Sequence, residues 1–93
     1  ADIKRFKELG VIASMQGIHT ISDGPWIEAR LGPVRAPSTS YLWRTLWDAG
    51  VVVTNGTDVP VEKIDPIVSY WGSVARKMAN GQVFLPSQRV TRE

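Results

Sequence analysis

Ninety-three residues, 43% hydrophobic and 22% charged, make at most one small folded domain and exclude an intrinsically disordered chain. The formal net charge of +2 is small and its basic residues are scattered, which argues against a nucleic-acid partner, since such binders carry a basic stripe. The absence of cysteine excludes disulfides and thiolate zinc sites, and no stretch reaches the roughly 18 apolar residues of a membrane helix. The first residues are charged and amphipathic, unlike a signal peptide, so a cytoplasmic setting is expected.

Asp2 is placed to cap a first helix with Ile3, Phe6 and Leu9 on one face, and Gly10 ends it as a left-handed cap would. Val11 to Gln16 then reads as a short buried strand. Gly17 to Pro25 turns polar and loop-like. Trp26 to Leu31 forms a short helix entered through Pro25 and broken by Gly32-Pro33. Pro37 to Thr39 is a turn, and Ser38 or Thr39 caps a helix to about Ala49, whose wide apolar face carries Leu42, Trp43, Leu46 and Trp47. Gly50 ends that helix and the strand Val51 to Asn55 follows at once. After a loop bearing Asp58 and stiffened by Pro60, Asp65 caps a helix that Pro66 opens and Asn80-Gly81 closes. Gln82 to Glu93 is irregular until Thr91, which looks like the N-cap of another helix.

Residues 51 to 58 carry the most information. Val51, Val52 and Val53 run without alternation, as in a strand of a parallel sheet covered by helices, and end in a Gly-containing turn presenting Asp58. In such sheets the chemistry gathers just beyond the carboxyl ends of the strands. Two parallel strands cannot close or cover a sheet, and their edges would stay unpaired. The order α-β-(α)-α-β-α-tail therefore reads as a slice of a larger α/β architecture, with two short strands and three to four helices, completed by self-association into a homo-oligomer.

Several separate motifs, in order and spacing, carry a resemblance that spans nearly the whole chain. They are residues 5 to 19 (Arg5-Phe6-Lys7-Glu8-Leu9-Gly10 through Gly17-Ile18-His19), Arg30-Leu31-Gly32-Pro33, Asn55-Gly56-Thr57-Asp58-Val59-Pro60-Val61, and Asp65-Pro66. Together they resemble the amidohydrolase superfamily, in its YtcJ-like, metal-dependent hydrolase branch. The resemblance implies a (β/α)8 barrel that hydrolyses amide-type C–N bonds of small molecules with a divalent metal such as zinc. Residues 1–93 would be one piece of that barrel, carrying strands seven and eight. The family's metal-binding histidines, on strands one, five and six, have no counterparts here. Asp58 matches the aspartate at the end of strand eight, which contacts the metal and exchanges a proton with the attacking water. His19 matches a histidine after strand seven near the substrate. Gly17 stands where many relatives have proline, a change expected only to loosen the loop.

Read from the residues alone, an Asp in the place of Asp58 more often caps its own turn. His19, the only histidine, could be a metal ligand, a substrate contact or a loop residue bonded to Ser22 or Asp23. Trp26, beside the His19 loop, is a candidate substrate-pocket wall. Asp23 could orient the His19 ring, while Glu28 and Glu62 read as solvated charges. One His and one Asp fall short of the three protein ligands of a catalytic zinc, so tight metal binding and turnover by this chain alone are not expected. The contrasting reading is a non-enzymatic helical oligomerisation or binding module with its strand edges buried between copies.

Overall fold

A computed structural model describes residues 2–92, and its organising element is a two-stranded parallel sheet. Strand β1 (Ala13–Met15) lies beside β2 (Val53–Asn55), with Ala13 opposite Val53 and Met15 opposite Asn55. Alternation along the strands sends Ala13, Met15, Val51 and Val53 to one face, where they pack against Leu46, Ile3 and Ala49. The other face is bare, with Ile12 58% and Val52 61% exposed. The valine run is thus covered by helices on one side only.

Helix α1 (Ile3–Glu8) leads into β1 through Gly10, whose φ of +65° is the left-handed conformation glycine adopts without penalty. Asp2 stands at the N-cap but makes no capping bond, its carboxylate instead meeting Arg5 Nη1 at 3.4 Å. Between the strands run α2 (His19–Ser22), α3 (Gly24–Thr39) and α4 (Trp43–Asp48). Helix α3 is broken at Gly32 (φ +79°, ψ 166°), as the Gly-Pro pair leads one to expect, and then resumes through Thr39. Helix α5 (Pro66–Val74) follows β2 and is capped by Asp65, which accepts the Ile67 N–H at 2.9 Å.

The structure departs from the sequence reading at several places. Strands β1 and β2 cover only 13–15 and 53–55 of the strands expected over 11–16 and 51–55, and Val11 and Ile12 are exposed. The expected turn at Pro37 to Thr39 is the end of α3. Part of the expected Gly17–Pro25 loop is helical, as α2. The helix expected from Ser38 or Thr39 starts only at Trp43, because Tyr41 turns left-handed at φ +52°. The helix expected to reach Asn80 ends at Val74, and Arg76, at φ +52°, turns the chain into a bridge between Lys77 and Val83. The described residues therefore hold five α-helices and a 3-10 turn (Pro86–Gln88), against an expected three to four helices. The helix expected to begin at Thr91 would run into Glu93, outside the described residues.

Arg76 explains the early end of α5. It is fully buried, donating from Nε to Phe84 O at 2.7 Å and from Nη1 to Tyr41 O at 3.2 Å and Gln88 O at 3.4 Å. Its guanidinium also lies 5.4 Å from the Phe84 ring centroid. Burial, with Arg89 adding to it, pushes its pKa down to about 10, so it stays charged at neutral pH. Two of these bonds go to the segment that folds back after α5 and one to Tyr41, and together they offset one more helical turn of intrinsically modest stability.

Candidate functional site

Asp58 and His19 lie in the two segments that leave the carboxyl ends of β2 and β1, so the parallel pairing brings them to the same end of the sheet. Asp58 is held at φ +59°, and its carbonyl accepts the Glu62 N–H at 3.1 Å, folding 58–62 into a closed turn. His19 opens α2 and points its ring at that turn. Its Nε2 is 3.0 Å from Asp58 Oδ2, while Nδ1 is 3.5 Å from Glu62 Oε1 and 3.8 Å from Asp23 Oδ2.

Three carboxylates therefore surround one imidazole. The Glu62 side chain is 21% exposed, against 41% for Asp58 and 48% for Asp23, so the acid at the strand tip is open to solvent and Glu62 is the most enclosed of the three. A carboxylate that water can reach and that an imidazole holds in place is suited to taking up and releasing a proton. Asp23 is engaged elsewhere, since its Oδ2 accepts the Tyr41 hydroxyl at 2.6 Å. Burial, reinforced by Asp23, pushes the Tyr41 hydroxyl well above its usual pKa and keeps it a donor.

A second layer holds these segments in register. Asn55 Oδ1 accepts the Gly17 N–H and the Ser69 hydroxyl, both at 2.9 Å, and its Nδ2 faces Ser73 Oγ at 3.4 Å. The buried Thr20 hydroxyl lies 2.8 Å from both Gly17 O and Gly72 O. The backbones of Gly17 and α5 touch so closely that a Cβ on Gly17 would run into Ser69 O, and one on Gly72 into Gly17 O. Gly17 is thus more than a looser link. Its N–H is bonded, and proline at 17 in this backbone would lose that bond and meet α5.

Trp26 lies on α3, 61% exposed, and borders an open cavity of about 390 Å³ with Asp23, Ile27 and Arg30. Only Asp23 joins this cavity to the histidine cluster. Glu28 lines a different cavity, between Gly24 and Phe84. Sequence reasoning set Glu62 aside as a solvated charge, and it missed Asn55 and Thr20 as organisers. The one available signal for Asn55 was an amide placed at a strand end directly before a glycine.

The donor set does not make a metal site by itself. Among the described residues no group of three His, Cys, Asp or Glu side chains converges to hold an ion, and Asp58 is already bonded to His19. No helix of the described residues is long and apolar enough to cross a membrane.

A model of the amidohydrolase family matches residues 1–93. The amidohydrolase-type protein YtcJ of Bacillus subtilis (strain 168) is 32% identical over 80 residues, covering 86% of this chain and 15% of YtcJ. Protein LONG AFTER FAR-RED 3 of Arabidopsis thaliana is 32% identical over 88 residues, covering 94% of this chain and 15% of that protein. The chain thus spans about 15% of the length of the curated relatives it matches. No solved structure matches it.

Proposed function

Since this chain belongs to the amidohydrolase family, in its YtcJ-like branch, we propose that it supplies the proton-handling end of a hydrolase barrel acting on amide-type C–N bonds of small molecules. The observation that carries this reading is the 3.0 Å contact between His19 Nε2 and Asp58 Oδ2, made at the carboxyl ends of two parallel strands. Asp58 takes the proton of the attacking water and later passes it to the leaving amine. His19 holds the carboxylate and faces the substrate side, with Trp26 as a more distant wall.

Members of the family generally use divalent metals such as zinc, and by the family resemblance Asp58 stands at the position that would meet such an ion in the complete site. A catalytic metal takes three protein ligands, so the remainder would come from other parts of the enzyme, and the 93-residue chain is catalytically silent alone. The bare sheet face fits the same view, because further barrel strands would cover Ile12 and Val52. In the isolated chain that face favours self-association, as the binding-module reading also requires. A cytoplasmic setting is compatible with the lack of cysteine.

Assaying the chain with zinc and a panel of N-acyl substrates is expected to give no turnover. In a full-length enzyme carrying this segment, Asp58→Asn is expected to lower kcat by about 10²- to 10⁴-fold, the usual worth of a positioned acid–base group. Metal-dependent turnover by the chain alone would refute the silent state. An Asp58→Asn enzyme with unchanged kcat would refute the role of Asp58.

A further inference from the structure

We infer that Asn55 is the positioning residue that sets the spacing of His19 and Asp58, an inference that rests on the proposed pairing of those two groups. Asn55 is the last residue of β2, so Asp58 hangs from it by three covalent links. The other arm is a hydrogen bond: Asn55 Oδ1 accepts the N–H of Gly17, two residues before His19. One amide oxygen therefore ties the exits of both strands together at the level where the two side chains meet.

The same oxygen accepts the hydroxyl of Ser69, which is 2% exposed, and the amide nitrogen faces Ser73, also 2% exposed. Both serines belong to α5, so the node is anchored on a helix and not on the loops it serves. Ser69 also contacts Gly56 O at 2.7 Å, fixing the residue that starts the Asp58 turn. The β-ladder cannot do this work, because its last paired residues are Met15 and Asn55. Beyond them the two chains diverge into α2 and the 56–64 loop, and the Gly56 N–H to Met15 O bond at 2.8 Å is the last backbone tie. Asn55 extends the clamp one step further toward the reacting groups. An isosteric apolar side chain would leave the Gly17 N–H without its acceptor, while the Ser69 hydroxyl would keep Gly56 O.

The chain has a single histidine, so its imidazole nitrogens can be read by ¹⁵N NMR without overlap. In the 93-residue protein, Asp58→Asn is expected to displace the His19 Nε2 resonance, because the two groups are bonded. In an Asn55→Leu background the same Asp58→Asn change is expected to leave that resonance nearly unmoved, while unfolding remains cooperative. Asn55→Asp keeps an acceptor oxygen for Gly17 and Ser69 and is expected to restore the displacement. Should Asn55→Leu fail to fold, Asn55→Asp still decides: loss of the displacement in that variant overturns the inference. A full displacement in Asn55→Leu overturns it too. If Asp58→Asn moves nothing in the otherwise native chain, the His19–Asp58 pairing itself is wrong, which separates failure of the functional reading from failure of the Asn55 assignment.

Discussion

Replacing Arg76 with methionine tests whether a buried charge with no carboxylate partner helps or harms this fold. The strongest interaction lost is the 2.7 Å bond to Phe84 O, a charged hydrogen bond of about 1.5–3 kcal/mol. The bonds to Tyr41 O and Gln88 O, at 3.2 and 3.4 Å, are long and together add about 1 kcal/mol. The contact with the Phe84 ring at 5.4 Å adds roughly 1–2 kcal/mol in a desolvated setting. Against this, the variant no longer buries a guanidinium whose Nη2 has no partner, and that relief is worth roughly 2–3 kcal/mol. Loss exceeds relief by about 2 kcal/mol, or a 30-fold change in the folding equilibrium. Urea unfolding at neutral pH is expected to show a midpoint lowered by about 1–2 M at unchanged slope. A variant as stable as the native chain, or more so, would show that desolvation dominates and that Arg76 does not hold the 84–90 segment in place.

Two further outcomes follow from local geometry. Gly72→Ala places a methyl against Gly17 O, a backbone atom that cannot yield, and is expected to cost about 1–3 kcal/mol or more; for a chain of this size that lowers Tm by roughly 4–8 °C per kcal/mol in calorimetry. Asp65→Ala removes the side-chain bond to the Ile67 N–H and is expected to cost about 1 kcal/mol in denaturant unfolding, with Asp65→Ser recovering most of it.

What the sequence disclosed was what local signals control. Gly10 at the end of α1, the valine run that enters β2, the Gly32 break in α3 and the Asp65-Pro66 start of α5 are each set by residues within a turn of the feature. What it concealed depends on contacts between distant segments. Helix α2 has a polar, loop-like composition and is held by Gly17, Thr20 and Gly72, the last two 52 positions apart. The end of α5 is decided by where Arg76 finds carbonyls, not by the helix-forming residues after it. The site divides the same way. Asp58 and His19 stand at strand ends and could be singled out, but the approach of Glu62 to His19 comes from the fold of the 58–62 turn, which no local pattern announces.

The touching backbones of Gly17 and Gly72 have a consequence for how this mouth could diversify. Where main chain meets main chain there is no side chain to trim, so the approach of the Gly17 segment to α5 holds only with glycine at 17 and 72. Divergence in what the pocket admits is channelled instead into segments free of that crossing. The foremost of these is the stretch from Val59 to Ile64, whose apolar residues Val59, Val61 and Ile64 all face outward.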